Sequence, residues 1–255
     1  MIVEALAHFF ERATAHARKA GYVHEQIALL ARHRRQRRAW APHLARTRDF
    51  IERMARTTAG GQVVVLGSGA LLDIPVAALA QRFGDVVLVD VFHPRIARRT
   101  ARRFTNVRLH TCDLLGASTR THDGLPQIRL DAWRSSFPAP DLVVSANLLS
   151  QLPILPLQRA GAGDDAEALL MWTRSVIRGH LQDLTTGPGA ACVVTEKLRR
   201  RYDRDGAEID CFDGLAGVDI PAPEECWTWE IGPFGEIDRK SRTVVDVRAF
   251  RVPPA

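Results

Sequence analysis

The chain has 255 residues, of which 46% are apolar and 25% charged, and its net charge is +6. That length and composition suit one large α/β domain with an added segment and exclude a disordered or fibrous chain. No stretch is long and apolar enough to span a membrane as a helix, and Glu4, His8 and Glu11 interrupt the N-terminus where a secretory signal needs an apolar core.

The charge is unevenly spread. Residues 1–60 hold twelve Lys/Arg against five Asp/Glu, a balance of +7, which leaves the remainder near −1. Within that basic segment Ile2, Leu6, Phe9, Phe10, Ala13 and Ala17 share one helical face. Gly21 ends this helix or sits just past it. A second helical pattern carries Val23, Ile27 and Leu30 and runs into ARHRRQRR, Ala31 to Arg38. Pro42 suits the first turn of a third helix, with Trp40, Leu44, Phe50, Ile51 and Met54 on its apolar side and Gly60-Gly61 at its end. The expectation is a helical N-terminal cap or lid over residues 1–60, set on a main domain over residues 61–255. Three readings of Arg32–Arg38 stay open: a solvated helix face, a patch for RNA or another nucleic acid, and a site for a small anion. No aromatic residues interleave with these arginines, so no stacking platform for single strands is evident.

From Gln62 the texture changes. QVVVLG has no polar alternation, as in a parallel strand covered on both faces. A helix with Ile74, Val76, Leu79 and Ala80 follows, then a second buried strand, DVVLVDV from Asp85. Pro94 starts a helix to about Phe104; NVRLHTCD is a third strand and DLVVSAN, from Asp141, a fourth. Gly116–Pro140 reads as a long, turn-rich loop with a short strand near Gln127–Trp133. Asp164 suits the N-cap of a long helix to about Leu184. GAACVVTEK supplies a fifth strand, and CWTWEI and SRTVVDVRAFRV a final pair. Strand–helix alternation closing on a strand pair predicts an α/β fold: a doubly wound, mostly parallel seven-stranded sheet with a C-terminal antiparallel pair.

In such a sheet ligands bind beyond the carboxyl ends of the strands. Gly67 and Gly69, flanking Ser68, allow close backbone approach. Asp90, twenty-three residues after Gly67, ends the second strand, where a carboxylate can accept from both hydroxyls of a ribose. NAD and other adenosine cofactors fit these two features equally. The third glycine of the dinucleotide fingerprint is replaced by Leu72, however, and Asp113 follows strand three, where it can accept from an adenine amino group.

The chain here resembles the class I S-adenosylmethionine-dependent methyltransferases over roughly Gln62 to Val252. The resemblance is carried by VVVLGSGA, VLVD, TCDLL and DLVVSANLLSQL. It implies a Rossmann-like fold, S-adenosylmethionine as cofactor, contacts from Gly67, Ser68 and Gly69, ribose binding by Asp90, an adenine neighbour in Asp113, and Asn147 beside the methionine moiety. The chain departs from the family pattern at Val65 and Ala70, and at Gln151, where many relatives carry a histidine; Gln cannot be a general base. It lacks the D/N-P-P-Y/F/W motif of amino-methylating DNA enzymes.

The expected function is methylation of a small-molecule acceptor in the cytoplasm, with RNA as a lesser option. The alternatives are an NAD(P)-dependent oxidoreductase and a non-catalytic binding protein of the same fold. Methyl transfer from a sulfonium needs chiefly alignment, and a base only for a protonated acceptor. Glu196, Lys197, Tyr202, Asp203, His93, His180 and Glu230 are candidates, with His180 better read as a core residue; none is assigned. Cys112, Cys192, Cys211 and Cys226 have no metal-ligand spacing and read as reduced thiols. Neither a metal nor an oligomeric state is indicated.

Overall fold

The structure, a computed structural model, describes residue 11 and residues 13–115, 130–159 and 165–254. The apolar positions Ile2, Leu6, Phe9 and Phe10, the loop from Gly116 to Arg129 and residue Asp164 lie outside the described residues. Three helices come first: α1 (Ala15–Lys19), α2 (Tyr22–Arg35) and α3 (Arg37–Arg56). Then follow β1 (Gln62–Leu66), α4 (Val76–Arg82), β2 (Asp85–Asp90), α5 (Arg95–Ala101) and β3 (Val107–Thr111). The second half holds β4 (Leu142–Ala146), α6 (Ile154–Arg159), α7 (Ala166–Thr185), β5 (Ala190–Tyr202), β6 (Glu208–Asp213), β7 (Glu225–Gly232) and β8 (Arg242–Val252).

The sheet order is β3-β2-β1-β4-β5-β8-β7. The seven strands of this path are the seven expected. β1 pairs in parallel with both β2 and β4, so the chain winds outward from β1 in one direction and then in the other, and the switch point lies between β1 and β4. β8 runs antiparallel between β5 and β7. An eighth strand, β6, was not anticipated. It pairs with Leu198–Tyr202 of β5, beyond the Ala190–Val194 stretch that pairs with β4. β8 holds the other edge of β5, so β6 continues the edge that β4 leaves. β5 itself outruns its apolar core through LRRRY, because Arg200 pairs with Asp246 and Glu208 across the neighbouring strands. A charged run of that kind carries no strand periodicity.

Other boundaries differ for local reasons. Gly21, at φ +81°, lies just past α1 and starts α2. Only Gln36 separates α2 from α3. Pro42 lies inside α3 rather than in its first turn: the helix begins at Arg37 and forgoes the one backbone bond that Pro42 cannot donate. The described part of the Gln127–Trp133 segment is not a strand; Ala132–Ser135 is a 3-10 turn. Asp165, not Asp164, caps α7 by accepting from the Glu167 N–H. α4 begins at Val76, so nine residues separate β1 from its helix. No helix among the described residues is long and apolar enough to cross a membrane.

α3 lies across the sheet's far end. Trp40, Leu44, Phe50, Ile51 and Met54 are buried in the same cluster as Trp227, Trp229, Val245 and Val247. Burial of such side chains contributes about 1.5–3 kcal/mol each relative to exposure. The Trp40 indole N–H donates to the Ile231 carbonyl at 3.0 Å. α2 is tied down separately. Glu236, in the β7–β8 connection, has a side chain only 4% exposed. It accepts from Arg35 at 2.6 and 3.1 Å and from the Gln36 amide at 2.8 Å, with Arg32 at 3.7 Å. The arginine run is therefore docked on one side, while Arg34, Arg37 and Arg38 are exposed. The Arg35 guanidinium, aided by Gln36, holds the Glu236 carboxyl below the usual glutamate range against the opposing effect of burial. The folded state thus releases this proton more readily than the unfolded one, and the interaction stabilises above the ordinary pKa of about 4.5. Glu236→Gln should cost about 1–2 kcal/mol at neutral pH by urea denaturation, and the difference from wild type should shrink as the pH falls below about 4.5.

Candidate active site

Every one of Gly67, Ser68, Gly69, Asp90, Asp113 and Asn147 lines one cavity of about 410 Å³ at the carboxyl ends of the parallel strands. The β1 tip makes its turn through two residues of positive φ, Gly67 at +68° and Gly69 at +50°. At Gly67 a Cβ would also stand 2.8 Å from Leu148 Cδ1, so a side chain there would have to displace Leu148 as well as adopt a left-handed backbone. At Gly69 a Cβ would meet only the Gln26 amide of α2, at 3.5 Å and beyond. Ser68 donates its N–H to the Val89 carbonyl at 3.1 Å. Its hydroxyl is buried and has no hydrogen-bond partner among the described residues.

Asp90 ends β2 half-buried and accepts the Gly69 N–H at 2.7 Å. Burial pushes its carboxyl up to about 6, against the opposing pull of the Gly69, Phe92 and Val91 N–H groups. Asp113 accepts the Leu115 N–H at 3.0 Å and lies 2.9 Å from His16 Nε2, so α1 reaches the β3 side of the cavity. Asn147, at the tip of β4, has a positive φ of +54°, a conformation that asparagine tolerates better than most residues. Its amide donates to Asp73 at 2.7 Å. Burial raises the Asp73 carboxyl above its ordinary range, with the Asn147 hydrogen bond opposing. Three carboxylates, Asp73, Asp90 and Asp113, therefore line the cavity, the last two at its β2–β3 end.

The other end was not legible in the sequence. His43 of α3 is buried and stacks on Trp229, with ring centroids 4.0 Å apart and planes 5° from parallel. Trp40 meets Trp229 edge-on at 5.0 Å. The Trp227 indole N–H donates to His43 Nδ1 at 3.1 Å. Indole nitrogen can only donate, so Nδ1 must hold a lone pair and the neutral ring carries its proton on Nε2. Asn147 Nδ2 lies 3.4 Å from Nε2 but is itself a donor committed to Asp73, so the two do not satisfy one another. His43 thus presents an N–H to the cavity and cannot act as a base. Burial lowers its pKa to about 3. The Trp229 indole N–H and the Nε–H groups of Arg32 and Arg199, all from residues that line the cavity, are buried without a hydrogen-bond partner among the described residues. Leaving such a donor unmet costs about 1–3 kcal/mol.

The candidate bases are placed elsewhere. Glu196 binds Arg199 Nη2 through both oxygens at 2.8 and 2.9 Å. Lys197 pairs with Asp213, Asp203 closes the β5–β6 turn, and Glu230 points to Arg242. His180 is buried against the Ser145 hydroxyl at 2.9 Å, as a core residue. Neither these residues nor Tyr202 or His93 line the cavity. Cys112 does, but burial, then Asp113, raises its thiol pKa and disfavours a thiolate. Among the described residues no cluster of metal-ligating side chains occurs.

No family model matches the chain, and no curated protein matches it. Among solved structures it is similar to the N-methyltransferase NodS from Bradyrhizobium japonicum WM9, at 16% identity over 82% of this chain and 95% of that one, with a TM-score of 0.41. It is also similar to a 1,6-didemethyltoxoflavin-N1-methyltransferase from Burkholderia thailandensis, at 14% identity over 93% and 91% of the two chains, TM-score 0.41. An rRNA methylase from Streptococcus thermophilus matches at 13% identity over 79% and 93%, TM-score 0.34. At scores of this size the likenesses carry no argument about activity. The site makes a prediction of its own: in nitrogen-resolved NMR, His43 should remain the neutral Nε2–H tautomer until the pH approaches about 3. A charged ring in folded protein at mildly acidic pH would contradict the Trp227 hydrogen bond as the source of the tautomer.

Proposed function

We propose that the protein is an S-adenosylmethionine-dependent methyltransferase acting on a small molecule. The observation that carries this reading is the convergence of Gly67, Ser68, Gly69, Asp90, Asp113 and Asn147 on one cavity at the switch point. The residues present fit the cofactor. Ser68 offers a buried hydroxyl without a partner, and the turn between Gly67 and Gly69 exposes backbone to the cavity. Asp90 would accept from the ribose and Asp113 from the adenine amino group. Asp73, held by Asn147, and its neighbouring carboxylates suit a ligand bearing positive charge. Bound there, S-adenosylmethionine would supply a methyl group activated by its sulfonium charge.

The chain's own contribution is then alignment and exclusion of water. No base is assigned: Asp90 and Asp113 are given to the cofactor, Asp73 is held by Asn147, His43 has no free lone pair, and Gln151 cannot accept a proton. The volume of about 410 Å³ lies in the range of small-molecule sites. Tyr22, Gln26 and Leu29 of α2 line the same cavity, which supports residues 1–60 as a lid. A dinucleotide is disfavoured, since Leu72 stands where its fingerprint needs a third glycine.

Calorimetry should detect S-adenosylhomocysteine binding and no comparable binding of NADH. Asp90→Ala should weaken S-adenosylhomocysteine by about 1.5–3 kcal/mol, the scale of a charged hydrogen bond. Because the carboxyl titrates near 6, affinity in the wild type should also decline as the pH falls through that value. Preferred NADH binding, or unchanged affinity in a folded Asp90→Ala protein, would refute the assignment. The lid makes a separate prediction: deleting Met1–Gly21 should impair turnover more than S-adenosylhomocysteine binding, and unchanged kinetics in the folded truncation would refute it.

A further inference from the structure

The cavity has two chemically opposite ends. Asp90 and Asp113 stand at the tips of β2 and β3, and Asp73 lies between the two ends, on the Asn147 amide nitrogen that is also 3.4 Å from His43 Nε2. The end near β5 and β7 is lined by donor-bearing residues: Trp229 and Arg199, whose indole N–H and Nε–H are buried without a hydrogen-bond partner among the described residues, His43 with its Nε2–H, and Arg32, whose Nε lies 3.7 Å from Glu236. Strand pairing explains how two of these come together. Arg199 of β5 and Trp229 of β7 both lie directly opposite Val245 of the intervening β8. Directly opposed residues project from the same face of a sheet, so the guanidinium and the indole flank Val245 on the face that α3 covers. A register shift between Glu196 and Leu198 brings Glu196 onto that face too, where it binds Arg199.

Helix α2 sets the distance between the ends. Gln26 lies over Gly69, and Arg32 is six residues further on, about 9 Å along the axis. Glu25 belongs to the Gln26 end. At the Arg32 end, Arg32, Arg35 and Arg199 meet the carboxylates Glu236 and Glu196, which leaves one positive charge among these five groups. Buried donors beside a surplus positive charge suit a ligand rich in acceptors and singly negative.

We infer that this end is an anion subsite, in which Arg32, Arg199, Trp229 and His43 hold a carboxylate-type group of the methyl acceptor. Its assignment to the acceptor rests on the methyltransferase reading; the subsite itself rests on the donors alone. His43 acts here as a neutral donor, so it orients the anion without competing for a proton. The substrate class is a small organic acid whose nucleophilic atom lies between its carboxylate and the cofactor.

The test follows the Trp229 indole N–H resonance by NMR, assigned with Trp229→Phe, which keeps a ring against His43 and Trp40. Acetate, inorganic phosphate and the neutral isostere acetamide are titrated, with and without saturating S-adenosylhomocysteine. Acetate should shift the resonance saturably in both conditions, more tightly than phosphate, while acetamide binds at least about tenfold more weakly. Arg199→Gln, checked for folding by circular dichroism, should weaken acetate by about tenfold. Equal response to acetamide, or no response to acetate in the wild type, overturns the subsite. Tighter phosphate binding overturns the carboxylate choice. If S-adenosylhomocysteine abolishes the acetate response, the anion is the cofactor's own carboxylate and the acceptor assignment falls. Failure of S-adenosylhomocysteine to bind at all refutes the methyltransferase reading, while the acetate titration of the free protein still decides the anion subsite.

Discussion

The packing of α3 on β7 is the contact on which the site depends. His43 lies flat on Trp229, accepts the Trp227 indole N–H, and is backed by Trp40, whose own N–H reaches the Ile231 carbonyl. His43, Trp227 and Trp40 are each held by a directional bond as well as by ring contact, and Trp229 by ring contact with His43 and Trp40, so α3 has one rotational setting against the sheet. That setting fixes which face of α3 meets the cavity. It also forces His43 into the tautomer that donates there. Indole and imidazole suit such a junction because each joins a broad apolar surface to a polar edge.

The opposite wall is governed by backbone rather than side chains. At the switch point β1 and β4 end side by side, and both turn through the left-handed region, β1 at Gly67 and Gly69 and β4 at Asn147. These turns remove bulk from the strand tips and open the space in which Asp90 and Asp73 face inward. Conformations of this kind persist when the surroundings over-determine them. Here Leu148 packs on Gly67, and the Asn147 amide is held by Asp73. The glycine turn is thus set by a contact from β4 as much as by its own sequence.

Between these walls the cavity is electrostatically polar. Asp90 and Asp113 stand near β2 and β3, Asp73 lies at Asn147, and guanidinium, indole and imidazole groups line the cavity near β5 and β7. Such a division suits two ligands of opposite character better than one. It also explains the arginine run. Part of the run is solvated, but Arg32 and Arg35 are recruited by the buried Glu236, and that anchor brings Arg32 to the cavity. A basic stretch that reads as uniform along the chain is thus divided by helix geometry into an exposed side and a working side.

Local sequence was sufficient for whatever depends on periodicity and turn chemistry. VVVLGSGA could only be a buried strand breaking into a permissive turn, and Asp90 and Asp113 fall at strand ends because hydrophobic runs stop there. The seven strands of the main path followed from that reading, as did the placing of Gly67, Gly69, Asp90 and Asp113 at strand ends, whereas Ser68 and Asn147 entered through the family resemblance. What sequence could not determine rests on contacts between residues far apart in the chain. β6 and the end of β5 are charged, and they become strands only because Asp246 and Glu208 lie across from Arg200. Pro42 marks a helix start by propensity, yet the packing of Trp40 and Leu44 on the sheet extends the helix before it. His43 is an unremarkable histidine until Trp227, 184 residues away, donates to it. Arg199 and Trp229 share no motif; a common partner in Val245 makes them neighbours. Propensity and pattern act over a few residues, whereas the chemistry of this end of the site arises from strand pairing and helix packing, which only the tertiary structure decides.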